Sequence, residues 1–204
     1  MDKVPLNFDF GDNLNPMINA FGQVVKNDGE VDDSSAVNVS VIPKAYSIWE
    51  DHVVAAVLDV EGTPVSDEEP PTQAMLMLLS RKDFKGVVSA NNTTSPNAVS
   101  DSTKYYIESG LGNWRIPTEQ EAKILYNSYW GILNGGSITS DLSPLNTLLK
   151  HNAIDPVCLD SKERYLCGEG KMTFGFYQDG YIVPAGKDKK YHLRLVHTVK
   201  VTTR

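Results

Sequence analysis

The sequence predicts an α+β protein, and three observations lead there. Two apolar runs, Val53-Val-Ala-Ala-Val-Leu-Asp-Val60 and Ala74-Met-Leu-Met-Leu-Leu79, have strand length and are bounded by turn residues, so they read as buried strands. A helix with its own start signal follows near residue 119, and three strand signals, Arg164–Cys167, Lys171–Tyr177 and Tyr191–Val199, close the chain.

In chain order, residues 1 to about 51 are polar and rich in Asn, Asp and Ser. The alternating pieces Leu6–Phe10 and Val37–Val41 read as strands, joined by turns at Gly11-Asp12, Asn15-Pro16 and Asn27-Asp-Gly29. Met17–Val25 fits a short helix or a strand equally. The run at 53–60 ends at Glu61-Gly-Thr-Pro64. The acidic, proline-bearing loop Ser66–Pro71 then suggests a division into a strand-rich amino-terminal region, 1–70, and a second domain, 71–204. Gly86–Ala90 reads as another strand. The loop Asn91–Pro96 carries Asn-x-Thr patterns at Asn91 and Asn92, triplets that are common by chance. Between Asn97 and Ser109, residues Ala98, Asp101, Tyr105 and Ile107 suit a helix stopped by Gly110, with Tyr105 or Tyr106 turned inward.

The strongest local instructions lie in Gly110–Tyr126. Pro117 biases Ile116 toward an extended backbone, which makes Trp114–Ile116 an extended lead-in. Thr118 and Glu121 form a Thr-x-x-Glu capping box, so the helix starts at Glu119. Its apolar positions Ala122, Leu125, Tyr126 and Tyr129 share one face. Past Trp130 the chain becomes irregular, with a short helix at Leu142–Leu149, and the excursion 131–164 is the preferred contact surface. The closing strands read as an antiparallel meander with a turn at Gln178-Asp-Gly180. In the last of them Leu193, Leu195 and Val199 face one way, and His192, Arg194 and Val196 the other.

Composition narrows the partners. A formal net charge of -7 argues against nucleic acid, and the basic cluster Lys187-Asp-Lys-Lys190 is short and interrupted by an acid. No run approaches the roughly 20 apolar residues of a transmembrane helix. The amino terminus shows no signal region, which a mature chain would have lost. Cys158 and Cys167 lack zinc-finger companions, and their separation permits either a local disulfide or two unrelated thiols.

Three motifs in order, Trp114-Arg-Ile-Pro-Thr118, Tyr165-Leu-Cys-Gly-Glu169 and Leu193-Arg-Leu-Val-His197, resemble the Lcl-type carboxy-terminal domain of bacterial surface and fimbrial proteins. The resemblance covers roughly residues 85–199 and implies a variant of the C-type-lectin-like fold, with two helices and an antiparallel sheet. Two departures stand out: Leu195 replaces a frequent family Cys, which removes a disulfide to the last strand, and Leu166-Cys167 replaces the usual Trp-Ser. The wider superfamily contains enzymes, lectins and receptor-binding tips, so fold alone does not choose among them.

Enzymatic readings find little support in the residues. A formylglycine-generating relative would need a reactive cysteine pair, and the surroundings of Cys158 and Cys167 show no such pattern. His52, His151, His192 and His197 have no motif partner, and no Gly-x-Ser-x-Gly or His-Glu-x-x-His occurs. Calcium-dependent sugar binding would need about 6 to 8 oxygen ligands at one place, whereas Asp141, Asp155 and Asp160 are scattered and the lectin triplets Glu-Pro-Asn and Gln-Pro-Asp are absent. Trp114 reads as a core anchor, Arg115 as an ion-pair partner of Glu119 or Glu121, and Arg194 as paired inside the domain. The expectation is therefore a non-catalytic adhesin at the extracellular or outer-membrane surface, without cofactor or metal, binding a glycan or protein receptor through unassigned residues. A structural or tip subunit of a pilus is the alternative, and a formylglycine-generating relative the third.

Overall fold

The two apolar runs pair with each other, and each face of the sheet they begin meets its own hydrophobic core. The structure is a computed structural model that describes residues 17–18, 24–25, 36–65, 71–84, 87–89, 103, 105–133, 142–152, 158–177, 180–186 and 189–203. The expected strand at 6–10, the loops at 66–70, 91–96 and 134–140, the helix positions Ala98 and Asp101, and residues Asp141, Asp155, Gln178, Asp179, Lys187 and Asp188 lie outside them.

The strands are β1 (Met17–Ile18), β2 (Val24–Val25), β3 (Val37–Val39), β4 (Ser47–Trp49), β5 (His52–Leu58), β6 (Gln73–Leu79), β7 (Val87–Ser89), β8 (Arg164–Cys167), β9 (Met172–Gly175), β10 (Val183–Pro184), β11 (Lys190–His192) and β12 (Val196–Thr203). Two helices are described, α1 (Glu119–Trp130) and α2 (Pro144–Asn152), so the class is α+β. A central sheet has the order β3-β12-β6-β5-β4 and a second sheet the order β10-β9-β8-β11-β7; β1 and β2 form a separate pair. Both large sheets are mixed where an antiparallel arrangement was expected. The cause is the last segment: β12 runs parallel to β3, and β11 runs parallel to β8.

All seven residues of β5 are buried, because each face of the central sheet meets its own core. Leu76, Leu78, Val199 and Val201 point toward Trp114, Leu111 and Leu193, while Met77, Leu79 and Val196 point toward α1, α2 and the aromatic rings of the second sheet. That double burial accounts for runs without polar alternation. In β5 the two-residue period breaks, since Ala55 and Ala56 both belong to the helix-side core. A register shift against β6 between Val54 and Ala56 absorbs the extra residue. The helix anchors this irregularity: the buried Ser128 hydroxyl donates to the Ala55 carbonyl at 2.5 Å.

Helix α1 starts as its sequence dictates. The Thr118 hydroxyl accepts from the Glu121 amide at 3.1 Å, and the Glu121 carboxylate accepts from the Thr118 amide at 2.9 Å. It ends at Gly131, whose φ of 72° is left-handed, a conformation that costs glycine little.

Three expectations are revised. Residues 105–109 are not helical: Tyr106 packs edge-on between Phe84 and Trp114, its hydroxyl donates to Glu108, and Tyr105 stays exposed. The strand 191–199 is broken at 193–195, where the chain passes from the second sheet to the central one. Its side-chain faces nonetheless hold, with Leu193, Leu195 and Val199 in one core and Val196 in the other. Thirdly, the proposed division at residue 70 falls between β5 and β6, which pair from Val53 to Leu58, so both parts build one sheet.

Candidate functional site

The three motifs lie far apart in the chain and meet at the start of α1. Arg115 and Val196 exchange backbone hydrogen bonds at 3.0 and 2.9 Å, which docks the lead-in against β12. The Gly168 amide donates to the Pro117 carbonyl at 3.0 Å, bringing the end of β8 to the same point. Trp114, only 1% exposed, fills the core beneath and donates its indole N–H to the Leu111 carbonyl. It is the anchor that the sequence suggested.

Above this junction lies an open cleft of about 310 Å³. Its lining includes the Arg115–Glu121 pair, in which the two terminal guanidinium nitrogens donate to the two carboxylate oxygens at 2.6 Å. Arg115 therefore selects Glu121, because Glu121 is already held over the lead-in by the capping box, whereas Glu119 turns toward Gly168. Burial works against the Glu121 charge, but the hydrogen bonds and charge of Arg115, with the Thr118 bonds, outweigh it and hold the carboxyl below the usual carboxylate range. Apolar surface comes from Leu58 on β5, Val60, Met75 on β6 and Ile124 on α1. Gln120 and Glu61 also line it. The lip carrying Glu61 is fixed by Asp59, whose Oδ1 accepts from the amides of Glu61 and Thr63 at 2.8 and 2.9 Å, with Gly62 turning at φ 85°. The site thus offers hydrogen-bond donors and acceptors beside apolar surface.

Other residues singled out by the sequence have internal roles. Arg194, 1% exposed, donates to Asp83 at 2.9 Å and to the Ser80 carbonyl at 3.1 Å. His192 shares the same Asp83 carboxylate and lies over the Tyr165 ring. His52 and His197 are buried against Trp114 and bond the carbonyls of Glu108 and Asn113. Tyr129 is buried and stacks on Phe176, while Tyr126 is half-buried. His151 is exposed on α2. Cys158 and Cys167 are both free; Cys158 is exposed, and burial, helped by the nearby Glu119 charge, pushes the Cys167 thiol up to about 12. Asp160 caps a turn by accepting from the Lys162 amide. Among the described residues no group of three or more His, Cys, Asp or Glu could hold a metal ion, and no helix is long and apolar enough to cross a membrane.

The sequence placed the contact surface at 131–164, and the described part of that segment mixes exposed positions such as Leu142, Lys150 and His151 with buried ones. Leu145 and Leu149 of α2 are fully buried in the helix-side core, and Asn146 bonds both the amide and the carbonyl of Leu159. The cleft was not anticipated, because its lining is drawn from residues 58–62, 75, 115–124 and 198. Only the Thr118–Glu121 box and the adjoining Arg115 gave a local signal. No protein-family model matches the chain, and no curated protein is significantly similar to it.

Proposed function

We propose that this chain is a non-catalytic binding protein of a bacterial surface or fimbria, built on the C-type-lectin-like plan, and that the cleft at the start of α1 receives its glycan or protein partner. One observation carries the reading: backbone hydrogen bonds bring the three motifs of the family resemblance together at the start of α1, next to an open cleft lined by the paired Arg115 and Glu121. Arg115 and Glu121 are locked by each other, an arrangement suited to holding a ligand and poorly suited to transferring protons. Screening the chain against a glycan array and against cell surfaces, alongside Gln120→Ala, tests it. Binding weakened by a substitution at this exposed residue is the expected result. Absence of any binding, or binding indifferent to Gln120→Ala, would overturn the assignment.

A pilus-subunit role has its own supporting observation. Both edges of the central sheet, β3 and β4, come from residues 37–49, and Val41 and Ile48 beside or on them are exposed. Each edge strand has only three residues, which limits strand addition. Concentration-dependent assembly in sedimentation experiments would favour this role, and a monomer at all concentrations would remove it.

A further inference from the structure

We propose that His192 and Glu163 bind one divalent transition-metal ion of the zinc type, at the place where the two halves of the second sheet join. Neither residue lines the cleft at the start of α1. The His192 ring is held from behind. Its Nδ1 lies against the Asp83 carboxylate, and an ionised carboxylate only accepts, so in the neutral ring the hydrogen sits on Nδ1 and the lone pair on Nε2. Asp83 is a firm anchor for that arrangement. Its other oxygen accepts from Arg194 Nε at 2.9 Å, its side chain is buried, and its loop is tied down by the Ser80 amide donating to the Leu195 carbonyl and the Phe84 amide to that of Leu193. The ring also lies over Tyr165, with centroids 5.2 Å apart. A carboxylate that fixes one imidazole nitrogen and raises the basicity of the other is the outer support that metal-ligating histidines commonly have.

Nε2 faces Glu163, whose Oε2 stands 3.9 Å away. That separation exceeds a hydrogen bond. It is close to what a shared metal ion sets: with metal–nitrogen and metal–oxygen bonds of about 2.0–2.2 Å, two ligands at a tetrahedral angle stand roughly 3.4 Å apart. Glu163 can make up the remaining half-ångström or so, because its side chain is half exposed on the turn before β8 while His192 stays fixed. Ligand chemistry then sets the kind of ion. Calcium and magnesium take oxygen ligands, whereas an imidazole beside a carboxylate suits zinc, copper and nickel. Two protein ligands leave the other coordination positions to water, which makes the site open and its affinity modest.

The placement gives such an ion a structural consequence. In the second sheet β10, β9 and β8 form one half and β11 and β7 the other. Across the joint β11 pairs with β8 at a single position, His192 with Tyr165, whereas β8 and β9 pair at four positions and β11 and β7 at three. Glu163 comes from the β8 side and His192 from the β11 side. An ion held by both therefore clamps the joint with the least backbone pairing, and it binds the folded chain in preference to the unfolded one, in which the two ligands are far apart in sequence.

The test is a titration of the full, untagged and isotope-labelled chain, first stripped with EDTA, with zinc, magnesium and calcium chloride. The four histidine rings are followed by proton–nitrogen NMR and the thermal midpoint by circular dichroism. Zinc is expected to shift the His192 ring nitrogens saturably at one equivalent, and to raise the midpoint by about 4 °C at ten times the dissociation constant. Glu163→Gln, a change at an exposed side chain, should lower the zinc affinity at least tenfold, since even an outer partner of a ligand is worth about 10–100-fold. Magnesium and calcium should leave the ring where it was. A zinc shift confined to the exposed His151, an affinity indifferent to Glu163→Gln, an equal response to calcium, or no saturable shift at millimolar zinc would each overturn the proposal.

Discussion

Arg194 shows how a single charge can decide a junction. It lies at the break between β11 and β12 and, almost wholly buried, is compensated by Asp83 and the Ser80 carbonyl. Asp83→Ala would take away that guanidinium's carboxylate, and removing one partner of a buried pair costs about 3–5 kcal/mol. Urea denaturation should register the loss as a lower midpoint at an unchanged slope. Arg194→Leu removes the cation itself and should cost less than Asp83→Ala, since His192 continues to bond the carboxylate. Glu121 gives the pH counterpart. Its carboxyl is held below the ordinary range, so the unfolded chain binds the proton more readily than the folded one. The contribution is therefore present above the ordinary carboxylate value of about 4.3 and is lost as pH falls through the depressed folded value. Glu121→Gln should be less stable than the parent near neutral pH, and the difference should shrink steadily below about pH 4. A gap that stays constant down to pH 2 would contradict the ionic account.

At the scale of elements, the turn joining β4 to β5 stores removable strain. Glu50 and Asp51 lie at φ 46° and 62° between the paired residues Trp49 and His52, in a two-residue hairpin that asks left-handed backbone of both. Glutamate is poorly suited to that region and aspartate tolerates it less readily than glycine, so the double change Glu50→Asn, Asp51→Gly should stabilise the chain by about 1 kcal/mol, seen as a raised thermal midpoint. Such local devices are what a sequence discloses best. The start of α1 was legible because Thr118 and Glu121 act within one turn, and β5 and β6 were legible because burial on both faces writes itself as unbroken apolar runs. The helix proposed up to Ser109 fails at 105–109 for a non-local reason: Tyr106 gains ring contacts with Phe84 and Trp114 and an acceptor in Glu108, which also holds the Arg81 amide. The break at 193–195 was invisible because apolar alternation continues across it while the hydrogen-bond partners change sheets. The cleft escaped notice because its apolar lining joins residues from two strands, the loop after β5 and a helix.

In the whole molecule, residues 37–58 and the last strand interlock. β12, from the last residues, lies between β3 and β6, and β6 in turn lies between β12 and β5. Residues 37–58 thus supply three of the five strands of the central sheet, although the acidic loop after 65 reads as a boundary. A fragment comprising 71–204 would keep β6 and β12 but lose β5, whose seven residues are all buried. It would expose Leu76, Leu78, Met77 and Leu79 along one ladder, leave Ser128 without the Ala55 carbonyl, and open the floor beneath Trp114 by removing His52 and Val54. With each fully buried aliphatic side chain worth about 1.5–3 kcal/mol, these losses exceed the 5–15 kcal/mol net stability of an ordinary domain. The fragment should therefore show no cooperative urea transition and little near-ultraviolet circular dichroism, while the chain from residue 36 onward unfolds cooperatively. A sharp transition in 71–204 alone would mean that the carboxy-terminal part carries a sufficient core by itself.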